Sequence, residues 1–390
     1  MQIAITGMGL VTPAGSGIAP LWKKCLERES FIQEGLGEIT NQALESLWSD
    51  IASSKWVKHS PLYLSKSLIL SLHSIIYAIE EAKWEFFTNK DIIIIGTTTG
   101  QIGRWEKDIM NLLKIDSDVQ SDKNKMRAQP LQTLTENLKH VLDFPGNILV
   151  LASACSASTQ AISSGYDFLA SHRADRCIVG GVEELSALTI TGFSCLKLLS
   201  TSPCKPFDES RVGINLSEGA GFYTLERGPI KKEAQAYIYG GETVLDSYHM
   251  TAPSVEGTGL QKSIWGALKK SNLRPEDITM VHAHGTGSIH NDQSEAFALS
   301  SVLSHNPPVI STKGVHGHAL GASGAVEMGI CLQILKTGII PPVTGLETVD
   351  ERIKVNVSNT AIKKEVKYLL KTTLGFGGVN TSFILGAHHA

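Results

Sequence analysis

Apolar and polar positions along this chain fall into short β-branched runs separated by longer segments with helical spacing. The runs at 3–6, 92–96, 148–152, 177–180, 221–225, 237–241, 280–283, 309–311 and 383–386 predict strands. Most are apolar at successive positions, as expected of parallel strands buried on both faces. Helical spacing marks residues 18–27, 62–82, 159–171, 260–271, 292–303 and 324–337. The regular recurrence over 65–82 predicts a core helix. Strand and helix alternate, the signature of an α/β fold with largely parallel sheets. Residues 111–130, with Asp116, Asp118, Asp122, Lys123, Lys125 and Arg127, break the pattern and predict an exposed loop. A charged stretch at 226–233 breaks it again near the middle.

At 390 residues the chain is long for a single core. Two halves are expected, 1–230 and 231–390, meeting in that charged stretch. Both show βαβ-like alternation, without a residue-level repeat. A hydrophobic content of 42% and a charged content of 19% describe a globular protein. The net charge of −3 gives no reason to expect nucleic acid or a membrane surface as partner. No segment reaches the roughly 18 consecutive apolar residues of a membrane span. Cys25, Cys155, Cys177, Cys195, Cys204 and Cys331 are scattered without a CxxC pair, the pattern of a reduced compartment. The amino terminus enters a strand without the basic and apolar regions of a signal peptide, so the cytoplasm is the expected location.

Cys155 stands where the apolar run ending at Ala152 gives way to small residues with helical spacing. Free N–H groups and the dipole at a helix entrance favour a thiolate, although most buried cysteines are inert packing groups. Three further segments carry candidate chemistry. Val281-His282-Ala283-His284-Gly285-Thr286-Gly287-Ser288 runs from a strand into a Gly-rich turn. Ser311-Thr312-Lys313-Gly314-Val315-His316-Gly317-His318 leads through a loop to a helix start, and Thr373-Leu374-Gly375-Phe376-Gly377-Gly378-Val379-Asn380 lies near the carboxyl terminus. The two His-x-His pairs would suit zinc by alternation on a strand, but the neighbouring Lys313 would repel a cation, and no metal is expected.

In this order the segments resemble the β-ketoacyl-acyl-carrier-protein synthases of the decarboxylating Cys-His-His type, members of the thiolase superfamily. The resemblance covers essentially the whole chain, from Thr6-Gly7-Met8-Gly9 and Pro13-Ala14-Gly15 to the 375–380 loop. Between them Lys205-Pro206-Phe207-Asp208 and Glu218-Gly219-Ala220-Gly221 match family segments, and Asp246-Ser247-Tyr248-His249-Met250-Thr251-Ala252-Pro253 is close to the synthase II subgroup. The resemblance implies a thiolase-like, five-layered αβαβα sandwich made of two similar halves.

It further implies decarboxylative Claisen condensation. Cys155 would hold an acyl chain as a thioester, and His284 and His318 would stabilise the enolate left when a malonyl thioester loses carbon dioxide. Lys313 would tune His318 and its surroundings, with Glu295 as its acidic partner, since a buried lysine without a carboxylate is costly. The backbone N–H groups of Cys155 and Phe376 would form the oxyanion hole. Phe376 would also gate the acyl pocket, and Asn380 would anchor its loop. Trp105 would stand near the far end of that pocket, at a subunit interface, with Phe193 as a further pocket residue. Thr286 and Ser288 would hold the phosphopantetheine arm of acyl-carrier protein, and no other cofactor is implied. The carrier is acidic, so Lys123, Lys125, Arg127 and Lys197 are its expected basic rim.

A bulky Trp105 favours a short or flat, unsaturated acyl chain, leaving both fatty acid and polyene or polyketide assembly open. The implied assembly is a homodimer or a heterodimer with a chain-length-factor-like paralogue. Two other readings share the fold. A non-catalytic chain-length factor typically lacks the nucleophile that this chain retains. A thiolase acting on coenzyme A carries a second cysteine where this chain has Phe376.

Overall fold

The computed structural model describes residues 2–106, 131–227 and 234–387. The expected loop at 111–130, its Lys123, Lys125 and Arg127, and most of the charged stretch lie outside the described residues. Strands β1 (Ile3–Thr12), β2 (Asp91–Gly96), β3 (Asn147–Leu151), β4 (Arg176–Glu183) and β5 (Gly219–Glu226) belong to the first half. Strands β6 (Ala236–Leu245), β7 (Met280–His282), β8 (Pro308–Ile310), β9 (Asn356–Val357), β10 (Tyr368–Leu374) and β11 (Val379–Gly386) belong to the second. All lie in one continuous sheet, in the order β9-β8-β7-β10-β11-β6-β1-β5-β4-β2-β3.

Either side of the β1–β6 junction the same plan appears. In the first half β5 runs antiparallel between β1 and β4, and β4, β2 and β3 follow in parallel. In the second, β11 runs antiparallel between β6 and β10, and β10, β7 and β8 follow in parallel. The halves join through an antiparallel pairing of Ile3 with Ile238 and Ile5 with Ala236.

Helices α1 (Ile18–Glu27), α2 (Asn41–Ile51), α3 (Lys66–Glu81), α4 (Gln132–Leu142), α5 (Ala157–Ala170) and α6 (Ala187–Cys195) come from the first half. Helices α7 (Thr258–Ser271), α8 (Ile289–Val302), α9 (Lys313–His316) and α10 (Ser323–Thr337) come from the second. Helix α3 covers the outer face of the first half-sheet and α7 that of the second, while α5 and α10 pack against strands of both. The layers therefore run αβαβα, the expected sandwich. Ile93, Ile178 and Phe222 face the outer core of the first half, and their neighbours Ile94, Val179 and Tyr223 face the central layer. Burial of both strand faces explains why the strands read as continuous apolar runs. Glycine lets the end of β2 approach the central helix: a Cβ at Gly96 would lie 2.2 Å from the Ser158 backbone nitrogen.

Strand β10 is absent from the sequence expectation because Lys371 and the nearby lysines interrupt its apolar pattern. Lys371 is fully buried and faces the central layer, where it meets a carboxylate of α10. Helices α2, α4 and α6 are also additions. In α6 Thr189 is buried and Leu188 is 55% exposed, so its apolar positions mark an uncovered surface.

Candidate active site

Both central helices open the same way. A single 3-10 turn, Ala154–Ser156, leads into α5, and another, Leu320–Ala322, leads into α10. The first residue of each turn is left-handed although it has a Cβ, with φ of 49° at Ala154 and 43° at Leu320. Such a conformation costs about 1–2 kcal/mol per residue. The first turn carries Cys155, and His318 stands two residues before the second. The helices meet closely behind them: Ala325 N–H donates to Ser158 Oγ at 3.1 Å. A Cβ at Gly324 would lie 2.0 Å from Thr159 Oγ1.

This packing brings together residues far apart in sequence. The Cys155 sulfur and a ring nitrogen from each of His284 and His318 lie within 4.8 Å of one another. The two imidazole rings are edge-to-face, with centroids 5.1 Å apart and planes at 81°. The Phe376 backbone N–H is directed at the Cys155 sulfur. A cavity of about 260 Å³ opens onto this cluster, lined also by Phe193, Thr286, Ser288, Lys197 and Asn380.

The helix entrance alone does not make Cys155 a thiolate. Burial pushes the thiol up to about 11, outweighing the Phe376 N–H and the Lys313 charge that pull it down. His284 and His318 are held well below the usual imidazole range, first by burial and then by Lys313, and are neutral at pH 7. The Lys313 ammonium donates to the His284 carbonyl oxygen at 2.7 Å and lies 3.4 Å from its Nδ1. An ammonium only donates, so Nδ1 of His284 accepts and the ring proton sits on Nε2. His318 Nδ1 lies 2.7 Å from Ser323 Oγ.

The acidic partner of Lys313 is Glu327, not Glu295. Glu327 on α10 forms a fully buried ion pair with Lys313. Glu295 instead accepts from the N–H groups of His284 and Gly285 and from Thr372 Oγ1, each at 2.7 Å. It pins the Gly-rich turn after β7 and so fixes the backbone of His284. Sequence reasoning passed over Glu327 because it is a lone acid in an otherwise apolar helix. That isolation was the available signal, since a buried carboxylate needs a cation.

His282 and His316 are pushed down to about 3 and about 4, chiefly by burial, and both contact Thr312 Oγ1, at 3.1 and 3.0 Å. They are packed, hydrogen-bonded neighbours. Phe193 and Phe376 stack with centroids 5.5 Å apart. Asn380 Nδ2 donates to Asp246 Oδ2 at 3.1 Å and to the Gly378 carbonyl at 2.9 Å, which braces the Phe376 loop. Thr286 Oγ1 donates to Ser288 Oγ at 3.0 Å on the cavity wall. Trp105 lies outside the lining of this cavity. It adjoins Glu106, whose carboxylate accepts from Ala187 and Leu188 N–H at the head of α6, the helix bearing Phe193.

A layered sandwich with a cysteine before one central helix, a histidine before the other and a second histidine just after β7 suits an acyltransferase that carries its acyl group on a thiol. The chain belongs to the β-ketoacyl synthase family: residues 64–229 match its N-terminal domain and residues 235–347 its C-terminal domain. It is 27% identical to 3-oxoacyl-[acyl-carrier-protein] synthase 2 of Vibrio harveyi, covering 98% of each chain. The ishigamide ketosynthase/chain length factor superposes with a TM-score of 0.89 at 23% identity, covering 99% of each chain. The ketosynthase ApeO of Xenorhabdus doucetiae, solved in complex with its chain length factor ApeC, gives a TM-score of 0.84 at 26% identity. That match covers 99% of this chain and 98% of the other. Among the described residues no helix is long and apolar enough to cross a membrane.

Proposed function

We propose that the protein is a catalytically active β-ketoacyl-acyl-carrier-protein synthase. The observation that carries this reading is the convergence of the Cys155 sulfur and the nitrogens of His284 and His318 within 4.8 Å. The Cys155 thiol attacks an acyl thioester on the carrier's phosphopantetheine, and the carrier thiol leaves with the proton. Malonyl-carrier protein then enters; its carboxylate carbon–carbon bond breaks and carbon dioxide departs. The Nε2–H of His284 and a ring N–H of His318 donate to the resulting enolate oxygen. The enolate carbon attacks the Cys155 thioester, whose developing oxyanion accepts from the Cys155 and Phe376 N–H groups. The carbon–sulfur bond breaks, the Cys155 thiolate takes a proton from water, and a β-ketoacyl chain two carbons longer remains on the carrier. Every part of this cycle can be supplied by side chains, backbone N–H groups, water and the carrier's own arm.

In this reading Thr286 and Ser288 hold the arm, Lys197 contributes to the basic rim, and Phe193 with Phe376 gates the acyl pocket. Trp105 shapes the pocket through the α6 contact made by Glu106. The acyl chain belongs to fatty acid or to polyene or polyketide assembly in the cytoplasm. Among the described residues, the unpaired edge of β3 and the exposed apolar positions of α6 support assembly with a second subunit, either a copy or a chain-length-factor-like paralogue. Retention of Cys155, His284, His318 and Lys313 speaks against a purely non-catalytic partner role.

The test is incubation with acyl-carrier proteins of varied chain length, followed by intact-mass analysis. A covalent acyl adduct on Cys155 is expected. Absence of an adduct with every chain overturns the reading.

A further inference from the structure

Behind the histidines two buried lysines share one carboxylate. Glu327 is ion-paired through Oε1 with Lys313 and through Oε2 with Lys371, the second at 2.8 Å, and all three side chains are fully buried. Lys371 also donates to the carbonyl oxygen of Thr372 at 2.5 Å, while the hydroxyl of Thr372 donates to Glu295. Lys371 is therefore the junction of two arms. One runs through Glu327 and Lys313 to the imidazole and carbonyl of His284. The other runs through Thr372 and Glu295 to the N–H groups of His284 and Gly285. Its strand neighbours Leu369 and Leu370 are buried apolar residues, and Glu327 already has a cation in Lys313. Burying an ammonium is costly, so its presence here calls for an electrostatic reason.

Resting on the condensation reading above, we propose that Lys371 is a positioning residue that divides the charge of Glu327, so that the Lys313 ammonium keeps a positive field on Cys155 and His284. Were Glu327 to pair with Lys313 alone, one negative charge would cancel one positive charge beside the cavity. With Lys371 present the buried group carries two cations and one anion. The titratable groups facing Lys371 are Glu327 and Cys331 from α10, Lys313 and His316 from α9, His282 from β7 and Glu295 from α8. The charge of Lys371 also lowers His284 and His318. Of these neighbours only Glu295 and Glu327 are carboxylates, and Glu295 is occupied by two backbone donors and the Thr372 hydroxyl. Glu327 is thus the partner through which the charge of Lys371 acts.

The test is the rate of Cys155 alkylation by iodoacetamide, followed by mass at the Cys155 peptide across pH, on the folded full-length chain. Lys371→Met, close in volume and uncharged, is expected to slow alkylation at pH 8 about threefold or more, the equivalent of half a unit in thiol acidity. Lys371→Arg, which keeps the charge, is expected to restore the rate. A merely structural role predicts the opposite sign, because loosened packing exposes the thiol and speeds alkylation. An unchanged or faster rate in folded Lys371→Met overturns the proposal. If Lys371→Met does not fold, thermal unfolding of Glu327→Gln and of the Glu327→Gln/Lys371→Met double variant decides. The double variant is expected to be the more stable, since it removes one of two cations left facing each other. A double variant no more stable than Glu327→Gln overturns the proposal. Alkylation needs no acyl substrate, so failure of the condensation reading and failure of this one give separate results.

Discussion

Ser156 donates its hydroxyl to the carbonyl oxygen of Val379 at 2.6 Å, binding the nucleophile turn to the loop that presents the Phe376 N–H. The two backbone donors of the proposed oxyanion hole are thereby held by one side-chain bridge. Ser156→Ala is expected to cost about 1 kcal/mol of stability. It should also lower the rate of Cys155 acylation about tenfold through misplacement of the Phe376 donor. Single-turnover acylation measured by intact mass checks this. An acylation rate equal to wild type would mean that the loop is held by other contacts.

Removal of the nucleophile separates the two chemical steps. Cys155→Ala is expected to form no acyl adduct and to make no condensation product. Decarboxylation of malonyl-carrier protein should persist at a reduced rate, because the enolate oxygen depends on His284 and His318. Release of carbon dioxide that requires the thiol would refute this division.

Glu295 has a backbone task. Glu295→Ala leaves the N–H groups of His284 and Gly285 and the Thr372 hydroxyl without their acceptor, at about 1–3 kcal/mol for each buried group left unpaired. The variant is expected to unfold at clearly lower urea concentration and to lose condensation activity. Wild-type stability in urea would contradict the pinning role.

His282 provides a pH test with a defined sign. Burial first, and Lys371 next, push its imidazole down to about 3 in the native state. Unfolded, it takes up a proton below about 6.5. Its contribution to stability is therefore complete above about 6.5 and is lost progressively as pH falls toward 3. His282→Gln, neutral in both states, should lose about 2 kcal/mol less than wild type on acidification from pH 7 to pH 5. Urea unfolding of both proteins at the two values measures the difference, and equal losses would refute it.

The legible parts of this protein were those written locally. The apolar runs of β2, β4 and β5 and the spacing of α1 and α3 appear in the sequence because each strand face and helix stripe is buried by neighbours of the same kind. Cys155, His284 and His318 stand in small-residue or Gly-rich segments where a reactive side chain is conspicuous. What was hidden depends on pairing across the fold. Lys371 looks like a surface residue until Glu327 is placed opposite it, and Glu327 looks misplaced in α10 until both lysines arrive. Glu295 reads as the partner of Lys313 for the same reason. Its position in α8 is evident from spacing, but whether it meets a side chain or a backbone turn is decided in three dimensions. Trp105 likewise reads as a pocket residue from the family resemblance, and what the sequence does not show is that its segment is held by the Glu106 cap on α6.

The close approach of Gly324 to Thr159 has a consequence for how this site can be tuned. Thiol and imidazole stand at the heads of two separate helices, so the gap between them is a crossing distance, set well behind the reacting atoms. A methyl group added at Gly324 would act as a wedge, spreading α5 from α10 and widening that gap without touching either side chain. The reach of the chemistry is thus adjustable from the protein interior, by the thickness of a helix seam.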